Sequence, residues 1–289
     1  MATALVPALL ALLVEVVLAV IAAFVAPRAK AVAIVLGVVA GAGVPWFAGP
    51  IALLRGLAAL VGLFGLLRII DVVRTRETWS ASRRVFHVLS LVDTRGLERA
   101  LPRFDLAWLG RALIWAAVAA SGYYLSRSPL LLVRWLGGVV FAYGAIDAGY
   151  AGFIVGYRLL GYVPPPLHVW PLASLTVGEL WGTRWARPVS GWLREHCFRP
   201  LARRRQALLG LMLGFVVSGV GHAYPVLVAS DAKMATLMLS FFLVQGAIVL
   251  VETRLGVSKW PRPARRAWTV TMMLASSPLF VEPALRVVG

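Results

Sequence analysis

Long stretches with almost no charge recur along the whole chain, beginning with residues 2–26. A helix needs about 20 apolar residues to cross the hydrocarbon of a bilayer. Only backbone that satisfies its own hydrogen bonds is stable there. By that rule, spans are expected near residues 2–26, 31–49, 50–73, 107–126, 130–157, 206–229, 235–253 and 267–288. The expected fold is all-α: a polytopic helical membrane protein, a single integral membrane domain over 1–289, with about eight transmembrane helices. Composition agrees, since 60% of the residues are hydrophobic and 14% charged, whereas soluble domains sit near half and a quarter. A soluble enzyme and a disordered chain are both excluded. The first stretch has no Lys or Arg before it, contains Glu15 and is longer than a signal-peptide core, so it reads as a span.

The net charge of +17 would suggest nucleic acid in a soluble protein. Position argues otherwise. Of 29 Lys and Arg, 22 fall in the first, third, fifth and seventh connections between the expected spans. The positive-inside rule makes those connections cytoplasmic and both termini external. No nucleic-acid partner is expected, because the cations are divided among four loops; anionic lipid heads are their natural partners. The Ala-, Gly- and Arg-rich composition points to a bacterium with a GC-rich genome, and hence to the inner membrane. Residues 79–100 read as an amphipathic in-plane helix capped by Ser80 or Ser82, and residues 176–197 as a second in-plane or re-entrant helix. No internal repeat supports a transporter of inverted-repeat design.

Cys197 is the lone cysteine, and His87, His168, His196 and His222 show no HxxH or HExxH spacing, so no metal is expected. Ionisable groups at membrane depth are candidates for function because they are costly to keep there. Asp71, Glu252 and Glu282 lie near span ends, where pairing with Arg68 or Arg254, or reaching interfacial water, suffices. Glu15 and Asp147 are deeper; each could pair with Arg68 or Arg111 or line a polar cavity.

His222 stands out, within Ser218-Gly219-Val220-Gly221-His222-Ala223-Tyr224-Pro225. Ser218 and His222 share a helix face. Two glycines and Pro225 are expected to weaken the helix and free carbonyls for water or a substrate. A neutral imidazole there can accept a proton; packing against a neighbouring helix is the other reading. A rhomboid-like protease does not fit, because Val216 stands where Gly-x-Ser-Gly needs glycine. Upstream lies Ser174-Leu175-Thr176-Val177-Gly178-Glu179-Leu180-Trp181-Gly182-Thr183-Arg184-Trp185. Trp181, Trp185 and Trp192 fall on one helical face, flanked by Arg184, Arg187 and Arg194. This is ordinary interfacial belt chemistry, or a place for the phosphates of a nucleotide-bearing donor.

Together the two stretches resemble the membrane-bound O-acyltransferase superfamily, in its wax-synthase-like branch. The matches are Ser174-Leu175, Trp181-Gly182, Arg184-Trp185, Phe198-Arg199-Pro200 and Ser218-Gly219-Val220-Gly221-His222, in order over about 50 residues. Phe241-Phe242, Gly246, Glu252 and Arg266-Ala267-Trp268-Thr269 are similar more weakly. Leu180 and Thr183 depart from the family's Phe and Arg, and Ala186 stands where an Asn or His often serves as a second active-site group. Glu179 is adjacent to that gap. The resemblance implies transfer of an acyl group from a thioester, usually acyl-CoA as co-substrate with no tightly bound cofactor, to the hydroxyl of a lipid-like or small alcohol. His222 matches the catalytic base. Trp181, Trp185, Arg184, Ser218, Glu179 and Asp147 are the candidate substrate-binding residues. An oxyanion donor is sought among Ser218, the indoles of Trp181 and Trp185, and backbone N–H groups near Pro225. The competing reading is a binding or transport protein with a polar path through Glu15, Asp147 and His222.

Overall fold

A computed structural model describes residues 2–289 and is all-α apart from one two-residue strand pair. Its helices are α1 (Ala2–Val25), α2 (Lys30–Val38), α3 (Ala52–Arg74), α4 (Ala81–Val88), α5 (Leu106–Leu125), α6 (Leu131–Leu159), α7 (Val177–Glu179), α8 (Arg187–Leu193), α9 (Arg199–Ala202), α10 (Ala207–Ala229), α11 (Ala232–Arg254), α12 (Arg262–Ser276) and α13 (Pro278–Val288). Seven helical segments among the described residues are long and apolar enough to cross a membrane: α1, Lys30–Phe47, α3, α5, α6, α10 and α11. Their outer faces carry bare apolar side chains such as Leu9 and Leu13, 65% and 58% exposed, which only lipid would cover. The chain is a multi-pass helical membrane protein.

The eighth expected span, 267–288, is not one helix. It is α12 and α13, broken at Ser277. Pro278 is the physical cause, because it has no N–H and its ring clashes with the preceding turn. Residues 79–100 also shorten. Ser80 caps α4 as expected, accepting from the Arg83 N–H at 3.2 Å. The helix then ends at Leu89 and gives way to a turn through Asp93 and a short strand, Glu98–Arg99, paired antiparallel with Tyr162–Val163.

The chain divides into two compact units. The first holds residues 1–96, 223–235 and 287–289. Its core is built largely from alanine, including Ala19, Ala22, Ala23, Ala26 and Ala33, closed by Ile69, Val72 and Trp79. Small side chains let helices approach closely, which is how helices associate in lipid. The limit is at Gly41 and Gly62, where a Cβ on Gly41 would stand 2.8 Å from the Gly62 carbonyl oxygen. Asp71 pairs with Arg68 as expected, at 2.8 Å, and also meets His87 Nε2 at 3.3 Å.

The second unit holds residues 97–222 and 236–286. Here α5 and α6 form a tight hairpin; at Gly144 a Cβ would stand 2.8 Å from the Ala119 nitrogen. Glu282 is held by Nε and Nη2 of Arg134, at 3.0 and 2.7 Å, and by the Trp135 indole at 2.8 Å. α10 gives residues 207–222 to this unit, and they pack on α11.

Candidate functional site

His222 lies on the part of α10 within the second unit. The helix is unbroken from Ala207 to Ala229 despite Gly219, Gly221 and Pro225, so the expected distortion does not occur. The two glycines act differently. A Cβ on Gly219 would meet Leu239 Cδ1 at 2.8 Å, so this glycine lets α11 close in, whereas Gly221 faces open space. The His222 Nδ1–H donates to the Ser218 carbonyl oxygen at 2.8 Å. The shared face expected for these residues is real, but the contact uses the serine's backbone rather than its hydroxyl. That bond fixes the tautomer. Nε2 is left as a lone pair without a protein partner among the described residues. Phe242 packs on the ring at 4.3 Å between centroids.

Two cavities meet at this imidazole. One, of about 340 Å³, runs past Tyr143, Leu172, Phe241, Met273 and Phe280. The other, of about 310 Å³, runs past Ser190, Arg194, Phe198, Gly214 and Ser218. Both are mainly apolar, and both are of the size that holds a small ligand. They share Trp181, Trp185, His222 and Phe242 as a common wall.

The tryptophan segment is held in place by a residue expected to do something simpler. Glu252 does not pair with Arg254. Its carboxylate accepts from the Val177 and Gly178 N–H groups at 2.9 and 2.7 Å, and from the Trp268 indole at 3.2 Å. A negative charge is favourable at the start of a helix, where N–H groups lack partners. Thr176 adds a cap, accepting from the Glu179 N–H at 2.9 Å. Glu179 in turn accepts from the Leu175 N–H at 2.9 Å and from Arg184 Nε at 2.6 Å. Burial pushes its carboxyl up, but those two donors outweigh it and hold it below the ordinary range. Arg184 also reaches the carbonyls of Val169 and Trp170. Both Glu179 and Arg184 are therefore engaged in folding the segment itself, and neither lines either of these two cavities.

The expected helix over 176–197 is broken. A π turn, Leu180–Arg184, follows α7, and the chain reverses at Trp185-Ala186 before α8. The three tryptophans consequently do not share a face. Trp181 and Trp185 reach the cavities, while Trp192 is buried against His196, 4.4 Å between centroids. Trp181 spends its indole N–H on Gln245 Oε1 at 3.1 Å, and Gln245 passes the chain on to Ser276 at 2.7 Å. The Trp185 indole N–H has no such partner among the described residues. Asp147 is buried and pairs with Arg111 at 2.8 Å, one of the two partners expected; it lines neither cavity.

His168 is the residue that sequence reasoning passed over. It stacks on Trp185 at 4.0 Å between centroids and 23° between planes. Its Nδ1 accepts from the Ala186 N–H at 3.0 Å. Burial lowers its pKa from 6.5 to about 4. No motif marks it; only the reversal at Ala186 brings it beside Trp185. Above pH 6.5 it is neutral both folded and unfolded. Below that, the unfolded chain takes up a proton the folded site refuses, so stability falls as pH drops from 6.5 towards 4. Unfolding followed against pH should show this fall, and His168→Gln should flatten it.

Ala186 has φ 42° and ψ 48°, a left-handed conformation that costs an alanine about 1–2 kcal/mol. Asparagine tolerates that region better, which gives a conformational reason for the residue type the resemblance expects there. Ala186→Gly is expected to raise stability by about 1 kcal/mol, read as a higher melting temperature in detergent.

Compared with known proteins, the chain matches no family model and no curated protein.

Proposed function

We propose that the chain is a membrane-bound acyltransferase of the O-acyltransferase type, joining an acyl group from a thioester such as acyl-CoA to the hydroxyl of a lipid-like or small alcohol. The observation that carries this reading is an imidazole with an open Nε2 lone pair at the meeting point of two apolar cavities. A two-substrate transfer needs that arrangement: two chambers, one base between them, and little water.

The chemistry follows from the residues. An alcohol does not ionise near neutral pH, so a base must take its proton as the oxygen attacks the thioester carbonyl. His222 Nε2 takes that proton, and the Ser218 carbonyl steadies the resulting imidazolium through Nδ1–H. The new C–O bond forms and the carbonyl electrons move onto oxygen, where the Trp185 indole N–H serves as a donor. Collapse of the tetrahedral oxyanion breaks the C–S bond. The departing thiolate receives the proton from Nε2, leaving ester, free thiol and neutral His222. Apolar walls keep water from intercepting the acyl group.

The test is purified protein with labelled acyl-CoA and a panel of alcohols. Ester and free thiol should appear in equal amounts, and thiol release without ester counts against the reading. The composition supports a bacterial inner-membrane setting, and the charge pattern supports arginine-rich connections on the cytoplasmic side, near the donor's phosphates, with the N-terminus outside; seven crossings put the C-terminus on the cytoplasmic side, where eight would have put it outside. In a Cys197→Ser background, a cysteine placed at Lys233 should react with an impermeant maleimide added from outside the cell. Labelling only from the cytoplasmic side would reverse the orientation.

A further inference from the structure

The first compact unit contains a buried carboxyl that the proposed chemistry does not use. Glu15, midway along α1, is 3% exposed, and neither carboxylate oxygen has a hydrogen-bond partner among the described residues. It lines a cavity of about 70 Å³ together with Ala40, Gly62 and Ser90. A carboxylate alone in an apolar surround is costly, and a neutral carboxyl still carries an unspent O–H donor, so the cavity is built around something. Its volume exceeds what one water requires.

A second oxygen converges on the same place. Residues 39–43 form a π turn, in which the Val44 N–H goes to the Val39 carbonyl. The next donor in that ladder, the one owed to the Ala40 carbonyl, belongs to Pro45, which has no N–H. From the point where a Cβ on Gly62 would stand, the Ala40 carbonyl oxygen is 3.1 Å away and Glu15 Cδ 3.4 Å. The absent side chain at Gly62 lets the Gly41 backbone close in, 2.7 Å from where that Cβ would stand, and so brings the Ala40 carbonyl and Glu15 to one place; Ser90 lines the same cavity.

We infer that this cavity binds a monovalent alkali cation through oxygen ligands centred on Glu15, in exchange with a proton. Hard cations select oxygen donors. One carboxylate neutralises one positive charge, whereas a divalent ion would leave an uncompensated charge at membrane depth. Among the described residues, no Lys, Arg or His lines the cavity. Tyr224, from α10, is the titratable group whose field Glu15 shares, and its hydroxyl donates to the Ala42 carbonyl at 2.8 Å. From α3, Arg68 is committed to Asp71, and from α4, His87 is committed to Asp71 and Thr94. The site stands independently of acyl transfer.

The test uses dicyclohexylcarbodiimide, a lipid-soluble reagent that adds to protonated carboxyls, on the full chain in liposomes. An adduct is expected on the α1 peptide, absent in Glu15→Gln, forming more slowly as pH rises. Saturating sodium or potassium should slow it roughly tenfold relative to choline at equal ionic strength, as mass action on one site requires. The same salt should raise the melting temperature of the wild type and leave that of Glu15→Gln unchanged. Labelling that proceeds equally in sodium, potassium and choline, or no adduct at any pH, overturns the site.

Discussion

Replacing His222 with glutamine should lower kcat for ester formation by about a thousandfold while the protein keeps its fold. General-base catalysis by a positioned side chain contributes about 10²–10⁴ in rate. Glutamine is chosen because its amide can still donate to the Ser218 carbonyl and fill space beside Phe242, so the helix packing survives. What it lacks is a basic lone pair at the junction of the two cavities. In the proposed reaction alcohol and thioester bind the walls rather than the imidazole, so KM for both should change by less than about threefold, the pattern of an interaction made in the transition state. Steady-state kinetics with melting temperatures measured in parallel would show it. Equal losses in kcat and melting temperature would instead mark His222 as a packing residue.

The second large effect lies away from the reacting atoms. Glu252→Ala should destabilise the second unit by about 3 kcal/mol, because it strands the buried Val177 N–H, the half-buried Gly178 N–H and the Trp268 indole together. Glu252 is 6% exposed, so water cannot readily replace its carboxylate. Trp181 and Trp185 follow directly on the capped turn. Activity should therefore fall with stability, and limited proteolysis should open the chain between Gly182 and Arg187. Gly178→Ala should reproduce a milder form, since its Cβ would stand 2.9 Å from Glu252 Oε1. Unchanged melting in both variants would mean that the segment holds itself.

These two residues also mark how far the sequence could be read. The spans were legible because lipid imposes a simple length and composition rule, and α1, α3, α5, α6, α10 and α11 obey it. The last span failed because Pro278 acts on the backbone while hydropathy counts only side chains. His222 was legible because an ionisable group among glycines in an apolar helix is unusual. Its partner atom was not, since a carbonyl leaves no mark in sequence. The capping role of Glu252 and the place of His168 were missed for a related reason. One caps a turn 75 residues earlier in the chain, and the other is brought to Trp185 by a left-handed Ala186 that alanine does not advertise. Arg184 and Glu179 were read as facing a substrate, yet the π turn over Leu180–Arg184 brings these two, five residues apart, to 2.6 Å.

The proposed reaction requires His222 to serve two separate chambers, and filling them one at a time tests that directly. Gly214 lines only the smaller cavity and has open space where a side chain would grow, and Ser277 lines only the larger. Gly214→Phe and Ser277→Phe should each raise KM by about tenfold or more for one substrate, thioester in one case and alcohol in the other, leaving the second substrate's KM nearly unchanged. If both substitutions raise KM for the same substrate, or neither raises any, the two cavities are not the two substrate sites and the proposed reaction loses its footing.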